Sequence, residues 1–106
     1  MIKTMTVSEL QKRVQESTKP FLLDVREPHE LDICKLAFDE HIPLGDLPDD
    51  YEKLPKDAEI VVYCRSGARS LRACEFLEDH GYGNLTNLSG GVLAWANDID
   101  PTMQKY

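Results

Sequence analysis

A chain of 106 residues has room for one domain with a modest core, and no stretch of it nears the ~20 consecutive apolar residues that cross a bilayer. Its 42% hydrophobic and 29% charged residues are ordinary for a soluble globular domain, while a formal net charge of -7 excludes nucleic acid and anionic membrane as main partners, since both reward a basic surface. The opening Met1-Ile2-Lys3-Thr4-Met5 lacks the apolar stretch of a signal peptide, so the expected location is cytoplasmic.

Thr6 and Glu9 stand at capping-box spacing, with Met5 and Leu10 placed to close a hydrophobic staple. This predicts a helix over Val7 to Gln15 with Val7, Leu10 and Val14 facing the core. Lys19-Pro20 ends it, and Phe21 to Val25 reads as a buried strand whose end delivers Asp24 and Arg26 to the carboxyl edge of a sheet. Pro28 opens a short helix through Glu30 and Ile33. Cys34 to Glu40 carries no periodic signal. A short strand is expected near His41-Ile42, then an acidic connection punctuated by Pro43, Pro48 and Pro55, with a helical turn or two around Asp50 to Leu54. The β-branched run Ile60 to Tyr63 reads as a strand buried on both faces. A helix follows from Ser70, its N-cap, with Leu71, Ala73, Cys74 and Leu77 on the apolar face and Gly81 at its left-handed end. Leu85 to Leu88 predicts another strand, Ser89-Gly90-Gly91 a turn, and Val92, Leu93, Trp95 and Ala96 a last helix, with Leu93 and Trp95 in the core and a polar tail from Asp98. Strands alternating with helices imply one α/β domain over residues 1–106, a parallel sheet with helices on both faces. Sites in such sheets form at the carboxyl ends of strands, where Asp24 and Cys64 both fall.

Cys64 is the candidate nucleophile. It ends a strand and opens the loop Arg65-Ser66-Gly67-Ala68-Arg69-Ser70, whose small residues let the backbone curl around one sulfur with its N–H groups inward. A helix N-terminus and two arginines beside a cysteine favour the thiolate, the reactive form. Arg65 and Arg69 are candidate contacts for an anionic substrate, and Asp24 is placed to hold a loop arginine. Three cysteines at spacings of 30 and 10 residues fit neither a disulfide framework nor a metal site, so a reducing compartment is expected, with Cys74 as a small core residue and Cys34 either buried filler or a surface-loop cysteine able to pair with another chain on oxidation. Arg72 is expected to pair with Glu75, and the three histidines to take surface or capping roles. No ligand cluster calls for a metal, and no glycine-lysine phosphate loop calls for a nucleotide; no cofactor is expected.

The segment Cys64-Arg65-Ser66-Gly67-Ala68-Arg69-Ser70 resembles the active-site loop of single-domain rhodaneses, the sulfurtransferases that carry sulfane sulfur as a cysteine persulfide. The resemblance extends over nearly the whole chain: Leu22-Leu23-Asp24-Val25-Arg26-Glu27 is similar to the family's early strand-end motif, Ile42-Pro43-Leu44 to its middle landmark and Leu88-Ser89-Gly90-Gly91-Val92-Leu93-Ala94-Trp95 to its C-terminal signature. Where most members read Gly-His-Ile-Pro-Gly-Ala, this chain has Cys34-Lys35-Leu36-Ala37-Phe38-Asp39. Ile33-Cys34-Lys35, with Ile42-Pro43-Leu44-Gly45, is closer to the rhodanese domains appended to adenylating enzymes of molybdopterin and thiamine sulfur transfer. The resemblance implies a rhodanese-like fold, a persulfide on Cys64, donor contacts from Arg65, Ser66, Gly67, Ala68 and Arg69, a small anionic sulfur donor such as thiosulfate, and a small thiol or a protein as sulfur acceptor.

Two other classes fit part of this pattern. Cysteine phosphatases and arsenate reductases resemble the loop but place the arginine six residues after the cysteine, whereas Arg69 is five after Cys64, and Tyr63 stands where they have a histidine. A non-catalytic interaction module is the third, and its mark would be loss of the cysteine. Cys64 is present.

Overall fold

In the computed structural model, which describes residues 1–106, the sheet is built from β1 (Lys3–Met5), β2 (Phe21–Asp24), β3 (Glu40–His41), β4 (Ile60–Tyr63) and β5 (Leu85–Leu88), all parallel, in the order β1-β5-β4-β2-β3. The helices are α1 (Val7–Gln15), α2 (Pro28–Leu31), α3 (Leu47–Asp50, between two short 3₁₀ turns), α4 (Ala68–Asp79) and α5 (Gly91–Asp98). Alternation along β4 divides the core into two. Ile60 and Val62 meet Leu47, Ala73, Cys74 and Leu77 beneath α3 and α4, while Val61 and Tyr63 meet Val7, Leu10 and Val92 beneath α1 and α5. Covering both faces is what makes β4 apolar at every position. Each fully buried leucine or valine contributes about 1.5–3 kcal/mol, so the central strand and its flanking helices carry the stability. No helix is long and apolar enough to cross a membrane.

The register places the site. Asp24 pairs with Tyr63 across β2 and β4, so the residues that follow, Val25 and Cys64, leave the sheet side by side at its carboxyl edge.

Several local expectations differ from the structure. β1 was not foreseen, because a three-residue strand with two exposed residues has no apolar periodicity to read. α1 carries both reciprocal bonds of the Thr6–Glu9 capping box, yet its buried stripe narrows to Val7 and Leu10. Val14, 46% exposed, lies instead on the rim of a groove it shares with Leu36, Trp95 and Met103. α4 begins two residues before Ser70: Gly67, at φ +112, turns the chain and is the N-cap, which moves Ser70 into the first turn and leaves Leu71 facing solvent. Trp95 and Leu93 are only partly buried. Arg72 is exposed and forms no ion pair with Glu75. The segment after Asp98 is not a free polar tail, since Ile99, Met103 and Tyr106 fold back onto the core beneath α1 and α5.

Candidate active site

Cys64 is 1% exposed, at the point where β4 gives way to the loop. The carbonyls of the loop's first half are taken up from outside. Cys64 O accepts from Val92 N at 2.9 Å, Arg65 O from Leu93 N at 3.0 Å, and Gly67 O from Asn87 Nδ2 at 3.1 Å. With the carbonyls turned outward to α5 and β5, the N–H groups turn inward. Gly67 N donates to Cys64 Sγ at 3.1 Å and Ser70 N at 3.4 Å, and Ser70 Oγ lies 3.4 Å from the same sulfur. The close approach of α5 needs a glycine: Gly91 sits at φ +57, and a Cβ there would lie 2.4 Å from Cys64 O. Burial pushes the Cys64 thiol up, but hydrogen bonds from the Ser70 hydroxyl and N–H and from the Gly67 and Ser66 N–H groups outweigh it, and the net shift is downward. The loop therefore aims its N–H donors at a single sulfur by the start of α4, the arrangement that favours the thiolate form of a cysteine.

Neither loop arginine points free into solvent. Arg69 makes a two-pronged ion pair with the nearly buried Glu30, Nη1 to Oε2 at 2.7 Å and Nη2 to Oε1 at 2.8 Å. The Arg69 guanidinium is the main cause that holds the Glu30 carboxyl down at about 2, against its own desolvation. Glu30 also accepts from Glu27 N at 2.8 Å and from the Tyr106 hydroxyl at 2.7 Å. Arg65 binds the main-chain oxygen of Tyr106, with Nε at 2.5 Å, and its guanidinium lies over the Tyr106 ring, 5.2 Å from the centroid. Asp24 holds Arg26, not a loop arginine, as a fully buried pair with Nη2 to Oδ2 at 2.8 Å. Burial opposes the Arg26 charge, but Asp24 and the Tyr106 hydroxyl outweigh it and keep the guanidinium protonated. Arg26 donates further to Cys34 O at 2.8 Å and lies over the Tyr63 ring, so the pair ties the end of β2 to the irregular segment after α2.

A family profile for the rhodanese-like domain matches residues 6–98. The chain belongs to the rhodanese-like domain family. It is 36% identical over 96 residues to a protein of Allochromatium vinosum named sulfurtransferase, covering 91% of this chain and 90% of that one. It is 33% identical over 112 residues to the maize adenylyltransferase and sulfurtransferase MOCS3-2, covering 96% of this chain but 23% of the longer maize protein. The crystal structure of a rhodanese-like domain protein from Staphylococcus aureus superposes with a TM-score of 0.83 at 28% identity over 98% of both chains.

In this rhodanese-like domain the residues singled out from sequence come together around one sulfur only in part. Cys64, Gly67 and Ser70 converge, with Ser66 contributing its N–H, while Ala68 is exposed and starts α4. Ser70 is not the helix cap. Its hydroxyl faces inward to Cys64 and Asn87. From sequence, Arg26 is brought to the sheet edge without a partner, and Glu30, Asn87 and Tyr106 are given no role at the site. Glu27 and Glu30 carry capping-box spacing around Pro28, a signal that could have placed Glu30 at a helix start, but nothing local says that it reaches Arg69. Asn87 and Tyr106 have no sequence signal, since their partners lie across the sheet. Cys34 is half-buried rather than filler, and Cys74 is buried, its thiol pushed up to about 12 by burial and by Glu75 and Glu78. His41 Nε2 donates to Arg26 O at 2.6 Å, His80 Nδ1 donates to Phe76 O at 2.8 Å at the end of α4, and His29 is exposed.

Proposed function

We propose that this rhodanese-like domain is a sulfurtransferase that moves sulfane sulfur from thiosulfate or a persulfide donor to a thiophilic acceptor through a persulfide on Cys64. The observation that carries the reading is the convergence of the Gly67 and Ser70 N–H groups on Sγ, a cradle sized for sulfur and supplied by a backbone that need not rearrange as charge develops. The Cys64 thiolate attacks the outer sulfur of thiosulfate. A new S–S bond forms as the old one breaks, and sulfite leaves with the bonding pair. The terminal persulfide sulfur carries the negative charge. An acceptor nucleophile then attacks that sulfur, and the Cys64 thiolate departs with the pair, ready for another donor.

The two arginines take different parts in this scheme. Arg69 is fixed by Glu30 and acts by charge, raising the local potential without leaving its partner. Arg65 is held by a main-chain oxygen and the ring of Tyr106, with no side-chain carboxylate as partner, which leaves its guanidinium to be claimed by an incoming sulfonate. Arg65 is thus the residue that recruits the donor. The names of the Allochromatium and maize relatives, both of which include sulfurtransferase, support sulfur transfer over phosphate chemistry.

Intact-mass measurement after thiosulfate treatment tests the reading. The expected product is one added sulfur, removed by a thiol reductant or cyanide and absent from Cys64→Ser. Aryl phosphate hydrolysis with no sulfur adduct overturns it in favour of a phosphatase.

A further inference from the structure

Asn87, on β5, reaches the two residues whose N–H groups hold Cys64. Its Nδ2 lies 3.1 Å from Gly67 O, and its Oδ1 lies 2.5 Å from Ser70 Oγ. A main-chain carbonyl only accepts, so the amide end of Asn87 must face Gly67 and its oxygen must face Ser70. Ser70 therefore meets two acceptors, Asn87 Oδ1 at 2.5 Å and Cys64 Sγ at 3.4 Å, and its hydroxyl carries one proton. From this geometry we infer that Asn87 is a positioning residue which competes with the Cys64 sulfur for the Ser70 hydroxyl, so that Ser70 turns to Asn87 when Sγ is uncharged and to Sγ when it is a thiolate.

Three states follow from counting protons. In the thiol, Cys64 S–H donates to Ser70 Oγ and Ser70 O–H donates to Asn87, and every group is paired. In the thiolate, Sγ has only acceptor capacity, so the Ser70 proton rotates to it and Asn87 Oδ1 loses its partner. In the persulfide, Sγ is again uncharged, the charge having moved to the outer sulfur, and the Ser70 proton returns to Asn87. Asn87 thus favours the loaded and resting forms over the free thiolate and keeps Cys64 from being more acidic than the N–H cradle alone would make it. The same amide steadies Gly67 at φ +112, which keeps the cradle closed.

The inference rests on Cys64 being the reacting thiolate, but not on the donor, so its test uses alkylation and not sulfur transfer. The rate of iodoacetamide addition, localised to Cys64 by peptide mass, is followed against pH in the parent chain, Asn87→Ala, Ser70→Ala and the double variant, each first shown to be folded. Ser70→Ala should raise the midpoint, because the thiolate loses a donor. Asn87→Ala should lower it by about half to one pH unit when Ser70 is present, because the hydroxyl is released to the sulfur. That fall should vanish when Ser70 is alanine. The other charges near the sulfur, Arg65 and Arg69 with Glu30 and Tyr106 behind them and the Asp24–Arg26 pair beneath, are unchanged by either substitution and cancel in the cycle. A midpoint that rises or stays put in Asn87→Ala, or that moves equally in both backgrounds, means that Asn87 only braces the loop and overturns the inference. Absence of any sulfur adduct on Cys64 of the parent chain, from thiosulfate or from a persulfide donor, would sink the proposed function and leave this result standing.

Discussion

Two cysteines ten residues apart, both out of solvent, have opposite acid-base behaviour. Cys64 is 1% exposed at the end of β4, and Cys74 is 0% exposed in the middle of α4, yet the first thiol is shifted down and the second is pushed up to about 12. Burial penalises the thiolate at both. What differs is where the backbone points its donors. In the interior of a helix every N–H is already spent on a carbonyl one turn earlier, and the charges nearest Cys74 are the carboxylates of Glu75 and Glu78. At a helix start the first N–H groups have no such carbonyl, and the loop aims them at Sγ. The contrast teaches that the acidity of a thiol here is set by unspent backbone donors, and that a lack of solvent is no guide to which cysteine is the more acidic.

Exchanging each sulfur for oxygen breaks the comparison most severely. Cys64→Ser should abolish sulfur transfer to below detection while leaving the unfolding midpoint near that of the parent, because a hydroxyl is not ionised near neutral pH and cannot hold sulfane sulfur. Cys74→Ser should do the reverse, keeping most of the activity but costing about 1–3 kcal/mol of stability for a hydroxyl placed in an apolar interior. Turnover by thiosulfate:cyanide transfer and urea unfolding check both, and an active Cys64→Ser would end the assignment.

Disturbing the loop without touching either cysteine sharpens the contrast. Gly91→Ala would put a Cβ against Cys64 O in a left-handed backbone that alanine resists, at a cost of about 1–3 kcal/mol. The loop must shift to relieve it, so Cys64 alkylation should move to higher pH and turnover fall at least tenfold. Cys74, buried in the middle of α4, should be unaffected in the same peptide map.

A smaller effect is expected at Arg69. Arg69→Ala removes a charge near Sγ and leaves Glu30 with only Tyr106 and a main-chain N–H, so use of an anionic donor should fall about fivefold, for a through-space effect of about 1 kcal/mol from a partly exposed charge. Alkylation of Cys64 by a neutral reagent should change less. Equal, slight effects on both reactions would mean that the Arg69 charge is not felt at the sulfur.

The smallest effect belongs to acid stability. Glu30 has its carboxyl lowered from an ordinary 4.5 to about 2, so the stability it brings is complete above pH 4.5 and disappears as pH falls toward 2. Since Arg69 is one-third exposed, water screens the pair and about 1 kcal/mol is the expected size. Urea unfolding should separate the parent from Glu30→Gln at neutral pH, and the gap should close on acidification. A gap that persists in acid would make the contact one of packing and not of charge.

How far the chain could be read without its structure follows the range of the forces involved. α1 runs over Val7–Gln15 because Thr6 and Glu9 cap it within one turn, and β4 has the predicted ends because its apolar run stops there. The same local logic found Cys64, since a strand, a small-residue loop and a helix are contiguous in sequence. It failed where a side chain is claimed by a distant element. Asp24 had a charged neighbour at Arg26 and another at the loop, and only the register of β2 against β4 decides that it binds the first. Ser70 had the residue type of a cap, but a left-handed Gly67 took that position, and Ser70 turned inward to an asparagine from another strand.

By itself the sequence determined the parallel α/β architecture, the two-faced burial of β4 and the candidate nucleophile, because periodicity, capping and a glycine-bearing loop act within a few residues of one another. Only the tertiary structure decided what holds that nucleophile ready: α5 pressed onto the Cys64 and Arg65 carbonyls, Asn87 between Gly67 and Ser70, and Glu30 and Tyr106 on the loop arginines. The physical reason is direction. A hydrogen bond or an ion pair depends on where two groups point as well as on what they are, and here that is set by elements up to 41 positions apart in the chain that the folded sheet brings to one edge.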